Sequence, residues 1–173
     1  MQTHTAGSRH LVLEDGTVFS GRGFGHGQDV FGELVFNTSM TGYVEVLTDP
    51  SYARQIVVMC APEMGTYGVC QRDIESSRIW ASGLIVRHLS DAPSNWRSGL
   101  TLSDWMATEH TPGITGLDTR ALVRRLRALG TMRAAIVDDQ RDLRDVLQQV
   151  RNAPSMKGMS LVKEVSCTTP YAF

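Results

Sequence analysis

The sequence predicts an α/β domain that joins a hairpin-rich sheet to a partly parallel one. Strand-like segments crowd the first third of the chain and then alternate with amphipathic helices. Two runs, Ile56-Val57-Val58-Met59 and Leu84-Ile85-Val86, are continuously apolar rather than alternating, as in strands covered on both faces. With 173 residues, 42% of them hydrophobic, the chain is long enough to bury one core and too short for two full enzyme domains.

Leu11 to Glu14 reads as a short strand, Asp15-Gly16 as a hairpin turn and Thr17 to Ser20 as the return strand. Gly21, Gly23, Gly25 and Gly27 then suggest a flexible turn segment before Glu33 to Phe36 restores strand character. Leu100 to Glu109 predicts a short helix around Trp105 that ends before Pro112. Asp118-Thr119 offers an N-cap to a helix whose Leu122, Leu126 and Leu129 recur at i, i+4 and i+7, with Gly130 closing it. A strand at Met132 to Val137 follows, and Asp138-Asp139 is expected to cap a helix carrying Leu143, Val146, Leu147 and Val150 on one face. Leu161 to Val165 reads as a last strand. No repeat, low-complexity tract or linker divides the chain, so residues 1–173 are expected to form a single domain.

A formal net charge of −1 argues against nucleic acid as the main partner, because a phosphate-binding surface leaves a basic excess. The longest apolar run, Ile56 to Ala61, is far too short to span a membrane, and Met1 to His10 carries no apolar signal segment. Cys60, Cys70 and Cys167 are odd in number and lack CxxC spacing. They suggest neither a disulfide framework nor a zinc site and fit a reducing, cytoplasmic setting.

The glycine series from Gly21 to Gly27 fails the dinucleotide fingerprint, since His26 stands where the third glycine belongs and a strand follows rather than a helix. A thiol nucleophile needs a thiolate-stabilising setting. Cys60 instead ends the most apolar strand, while Cys70 lies in a loop and Cys167 near the C-terminal end. His4, His10, His26, His88 and His110 are scattered without metal-ligand spacing. Arg120, Arg124 and Arg127 line one helix face, with Arg125 nearby; that face is either a solvated surface or a match for an acidic partner. Trp80, Trp96 and Trp105 are core or interface anchors. The most distinctive stretch is Asn37 to Tyr43, followed by Thr48-Asp49-Pro50-Ser51-Tyr52. Asp then Pro predicts a β-turn that presents the Ser51 hydroxyl and N–H on the surface, where a ligand or partner could be met.

Several stretches, taken in order, resemble the N-terminal domain of the small, glutamine-using subunit of carbamoyl-phosphate synthetase. They are Leu11 to Gly16 (LVLEDG), Gly32 to Tyr43 (GELVFNTSMTGY), Leu47 to Val57 (LTDPSYARQIV), Pro62 to Gly68, Ser94 to Arg97, Pro112 to Arg125, Gly130 to Arg133 and Gly158 to Tyr171. The resemblance implies a three-layer β/β/α swivelling domain with one parallel and one antiparallel sheet. It also implies an enzyme making carbamoyl phosphate from glutamine, bicarbonate and ATP, for arginine and pyrimidine synthesis. In that family the small subunit releases ammonia, from a thiol nucleophile with His and Glu partners in a class I amidotransferase domain that follows this one. The large subunit binds ATP and magnesium.

No catalytic residue and no cofactor is therefore expected within this chain, which ends at Phe173, and by itself it should not hydrolyse glutamine. None of the three cysteines occupies the family's nucleophile position. Ser51 corresponds to the family serine that reaches the glutamine pocket of the following domain. The rest of the domain would pack on the large subunit and help keep ammonia away from water. Gly158-Met159-Ser160 departs from the family's Gly-Met-Asp. The competing expectations are a free-standing protein-interaction or small-ligand-binding module and, last, a self-contained thiol enzyme.

Overall fold

The computed structural model describes residues 7–97, 99–167 and 169; His4, Tyr171 and Phe173 lie outside them. Strands β1 (Ser8–Leu13) and β2 (Val18–Gly25) form the expected hairpin. At its turn Gly16 adopts φ +91°, its N–H donates to Leu13 O at 2.9 Å, and Asp15 Oδ1 accepts from Thr17 N at 2.9 Å. Then come β3 (Val30–Asn37), α1 (Tyr43–Thr48), β4 (Gln55–Met59), β5 (Glu63–Met64), β6 (Gly83–Val86), β7 (His88–Leu89), α2 (Leu102–Thr108), β8 (Pro112–Thr115), α3 (Thr119–Leu129), β9 (Met132–Asp138), α4 (Leu143–Asn152) and α5 (Val162–Val165).

The α/β class holds, but the antiparallel and parallel strands share one sheet. It closes into a barrel of order β1-β2-β8-β6-β4-β3-β9, with β9 pairing back on β1. The pairs β3–β4, β4–β6 and β6–β8 are parallel and the others antiparallel. β5 and β7 make a separate, short parallel pair.

Strand alternation sorts the core into layers. Leu11, Leu13, Leu34, Ile56, Val58, Ile85, Ile114 and Ile136 fill the barrel interior, and Leu122 and Leu126 of α3 plug its end. The opposite faces of β4 and β6, carrying Val57, Met59, Leu84 and Val86, pack under α1 and α2. Val12, Ala135 and Val137 pack under Val146 and Val150 of α4. Both apolar runs are thus covered on both sides, as their continuity predicts.

Five local expectations are corrected. Gly21, Gly23 and Gly25 lie within β2 rather than in a flexible turn, because neighbours press on the strand: a Cβ at Gly23 would stand 2.7 Å from Arg9 Cδ. α1 was not expected, since Tyr-Val-Glu-Val-Leu-Thr has strand-like composition; burial of Tyr43, Val44 and Leu47 against the sheet overrides propensity. Asp142, not Asp138 or Asp139, caps α4, because the Asp138 carboxylate accepts from Gln140 N and closes a local turn. Leu129 is 61% exposed rather than buried. Residues 162–165 form α5 instead of a strand; a closed barrel leaves no edge for another strand to join.

Candidate functional site

Asp49-Pro50-Ser51-Tyr52 folds as the sequence predicts, into a tight 3-10 turn. Pro50 sets its first φ, Asp49 Oδ1 accepts from Ser51 N at 2.8 Å, and Tyr52 N and Ala53 N donate to Asp49 O and Pro50 O at 3.0 and 3.1 Å. Ser51 is exposed. One part of the expectation fails: the Ser51 N–H is spent on the Asp49 carboxylate. Its hydroxyl has no hydrogen-bond partner among the described residues and is the group left to meet a ligand.

The turn is held from both sides. On the α1 side, Thr48 is buried; its hydroxyl donates to Val44 O at 2.9 Å and accepts from Glu75 N at 3.1 Å, while its carbonyl accepts from Ser76 Oγ at 2.6 Å. Trp80 closes this clamp through Nε1, which donates to Ser76 Oγ at 2.9 Å, under the Arg78 guanidinium at 3.8 Å. On the other side, Tyr52 Oη accepts from Asn37 Nδ2 at 3.0 Å. Asn37 in turn accepts from Ser39 N through Oδ1 at 2.7 Å and from Cys60 N through its carbonyl at 2.9 Å.

A third motif meets the same place. Gly42, at the N-cap of α1 with φ +81°, has no side chain to cap the helix. Tyr67 supplies one from 25 residues downstream: its Oη accepts from Gly42 N at 2.7 Å and Tyr43 N at 3.3 Å, and its ring stacks on Tyr43 at 4.3 Å. Tyr43 Oη donates to Gly68 O at 2.7 Å. Burial pushes both phenols above their ordinary range, so they serve as neutral hydrogen-bonding groups. The stretches around Asn37, Asp49 and Pro62 to Gly68 therefore build one rigid support for Ser51.

Three residues beyond Ser51, Arg54 adopts φ +62°, unusual for a side-chain-bearing residue, and its guanidinium pairs with Glu164 of α5 at 2.8 Å. Arg133 ties down the approach to α5 by donating to Arg151 O and Ala153 O at 2.7 and 2.9 Å, while pairing with Glu14 at 2.7 Å. The chain after α4 is thus carried back to the end of the barrel where β4 begins and where the Ser51 turn lies.

The remaining candidates are dispersed. Cys60 is half-buried just past β4; burial pushes its thiol up, opposed by the Arg127 charge, so it is protonated at neutral pH and a poor nucleophile. Cys70 is buried and Cys167 exposed. His26 and His110 make an edge contact at 4.8 Å and His10 bonds Ser20, but no group of His, Cys, Asp and Glu among the described residues could hold a metal. Trp105 is core, Trp80 belongs to the clamp, and Trp96 is 88% exposed. Arg120, Arg124 and Arg127 are exposed and line, with Thr38 and Cys60, a cleft of 310 Å³ against α3. No helix among the described residues is long and apolar enough to cross a membrane.

Residues 11–136 match the family model described as carbamoyl-phosphate synthase small chain, CPSase domain. Among curated relatives, the carbamoyl phosphate synthase small chain of Parasynechococcus marenigrum (strain WH8102) is 52% identical over 162 residues, covering 94% of this chain and 42% of that protein. The small chain of Nostoc sp. (strain PCC 7120) is 50% identical over 93% of this chain and 42% of its own length. That of Streptomyces coelicolor is 48% identical over 99% of this chain and 47% of its own. The chain thus spans less than half the length of these relatives. Among solved structures, an aminopeptidase from Aneurinibacillus sp. strain AM-1 overlaps 75% of this chain and 30% of its own, with 20% identity and a TM-score of 0.45.

Proposed function

The chain belongs to the carbamoyl-phosphate synthase small-chain family, and from that premise we propose that it is the N-terminal, non-nucleophile part of a glutamine-using small subunit. On this reading it docks on the large subunit and completes the glutamine site of a class I amidotransferase domain that follows it in the full-length chain. The ammonia released there supplies carbamoyl phosphate synthesis from bicarbonate and ATP, with ATP and magnesium held by the large subunit. The heteromer would be cytoplasmic, and the barrel with its helices would serve as the family's three-layer β/β/α swivelling domain.

The observation that carries the proposal is the placement of Ser51. Its hydroxyl is exposed and without a hydrogen-bond partner among the described residues, on a turn fixed by Asp49, Thr48 and Tyr52. The same turn lies three residues from Arg54, which grips α5 where the chain runs on. A hydroxyl on a rigid turn suits the polar end of an amino acid, donating to a carboxylate or accepting from an ammonium group without the entropy loss of a mobile loop. No catalytic step falls to this chain: the Cys60 thiol is held up by burial, and Ser51 orients substrate rather than reacting with it.

The reading is tested by mixing this chain with the large subunit, separating the complex by gel filtration and assaying it for glutamine hydrolysis. Co-elution without glutamine turnover is expected. Turnover absent from the large subunit alone would place a nucleophile in this chain, and failure to co-elute would favour a free-standing module.

A further inference from the structure

The outer face of α3 carries a row of arginines that no carboxylate pairs among the described residues. Arg120, Arg124 and Arg127 are spaced i, i+4 and i+7, so they stand along one ridge about 10 Å long. Like charges at these spacings repel. Arg120 also occupies the first turn, at the positive end of the helix dipole, where a cation is disfavoured, whereas Arg127 in the last turn is favoured by the dipole and lies 5.7 Å over the Phe36 ring. None of the three forms an ion pair among the described residues, whereas the adjacent Arg125 pairs with Asp15 at 2.6 Å. The cleft they line holds Thr38, Thr119 and Cys60 but no carboxylate. Next to the ridge Leu129 stands 61% exposed, and Ala121 and Ala128 are exposed as well. Arginines interleaved with exposed apolar groups have the composition of a protein interface rather than of a solvated helix face.

Position decides which protein. The Ser51 turn and the Arg54–Glu164 pair lie where β4 begins. α3 lies where β3 and β4 end, against Thr38 and Cys60. Along β4 the six residue steps from Arg54 to Cys60 put the Arg54–Glu164 pair and the α3 cleft about 20 Å apart, a distance partly spanned by the Tyr52 side chain, which reaches Asn37 at 3.0 Å. The end by Ser51 and α5 is taken by the subunit's own continuation on the reading above, which leaves α3 facing away from it.

We infer that the α3 ridge of Arg120, Arg124 and Arg127, flanked by Leu129, is a docking surface for a carboxylate-bearing segment of the large subunit. This inference rests on the subunit reading proposed above and assigns a face to the contact. Arginine forks pair with carboxylates in bidentate fashion, so opposing Asp or Glu side chains would neutralise a ridge that has no ion-pair partner of its own among the described residues.

The test uses the full-length small subunit and the large subunit. Arg120→Glu, Arg124→Glu and Arg127→Glu are combined in one variant. A charge-matched variant reverses Arg72, Arg87 and Arg144 to Glu, three exposed arginines elsewhere on the surface. The ridge variant is expected to weaken binding by about 100-fold at low salt, with the loss shrinking as salt rises. Its thermal midpoint should stay close to that of the unaltered subunit, because the three positions are exposed and glutamates at the same spacings repel much as the arginines do. The charge-matched variant should bind within about twofold, since rim charges away from the contact act only through long-range steering. Replacing the three ridge arginines with lysine, which keeps the charge but loses the bidentate fork, should give an affinity between those of the unaltered subunit and the ridge variant. Wild-type affinity in the ridge variant overturns the inference while the subunit reading stands, and so does equal weakening by both reversed variants. Absence of binding by the unaltered subunit overturns both.

Discussion

Asn37 Nδ2 donates to Tyr52 Oη at 3.0 Å, joining the end of β3 to the turn that carries Ser51. This bond ties Asn37 to Tyr43 and Asp49 to Tyr52 into one framework, so the geometry at Ser51 depends on side chains outside the turn itself. Tyr52→Phe keeps the ring and removes the acceptor. Stability should fall by about 1 kcal/mol, the net worth of a hydrogen bond. In the complex, KM for glutamine should rise while ammonia-dependent synthesis is unchanged. A urea titration and the two assays check this.

Asp49 acts as both cap and lock. Asp49→Ala removes the acceptor for Ser51 N and should cost about 1 kcal/mol, whereas Asp49→Asn retains an acceptor and should cost a few tenths. Thermal unfolding of the two variants separates capping from charge.

Tyr67 caps a helix far from it in sequence. Tyr67→Phe leaves Gly42 N and Tyr43 N without their acceptor, and loss of about 1–3 kcal/mol is expected for part-buried donors left unpaired. A shift in the urea midpoint at constant slope would register it.

Arg54 offers a test of strain against pairing. The exposed pair with Glu164 contributes about 0–1 kcal/mol, while its left-handed φ costs about 1–2 kcal/mol for any residue but glycine. Arg54→Ala loses the pair and keeps the strain; Arg54→Gly loses the pair and relieves it. The alanine variant should therefore be less stable than the glycine variant by about 1 kcal/mol.

Acid sensitivity should follow Asp15. Burial raises its carboxyl pKa, but the bonds from Thr17 and the Arg125 guanidinium outweigh burial and hold it below the ordinary range. A depressed folded value means stability present above the unfolded pKa, about 3.9, and lost as pH falls below it. Asp15→Asn should therefore be less stable than the parent at neutral pH, with the gap closing below about pH 4. Urea midpoints measured across that range give the comparison.

Where one local rule governs, the sequence is readable. The continuous apolar runs of β4 and β6, the Asp118 cap and Gly130 stop of α3, and the Asp49-Pro50 turn all follow from neighbours within a few residues. Distant partners are not readable in this way. The helical state of Tyr43 to Thr48 depends on the sheet beneath it and on Tyr67; closure of the barrel depends on β9 meeting both β1 and β3. At the candidate site, the exposed turn at Ser51 was legible from Asp-Pro, but the diversion of its N–H to Asp49 and the approach of α5 to Arg54 were not. Both are settled by side-chain choices that composition and periodicity do not encode. The arginine ridge was legible as a pattern, and only the fold gives it a cleft and an outward direction.

The most direct measurement compares glutamine-dependent with ammonia-dependent carbamoyl phosphate synthesis by the complete enzyme carrying Ser51→Ala. Loss of one hydrogen bond to an amino-acid substrate should reduce kcat/KM for glutamine by about 10-fold or more, with ammonia-dependent synthesis unchanged. Unchanged use of glutamine, or equal loss of both activities, would contradict the assignment of the Ser51 hydroxyl to the glutamine site.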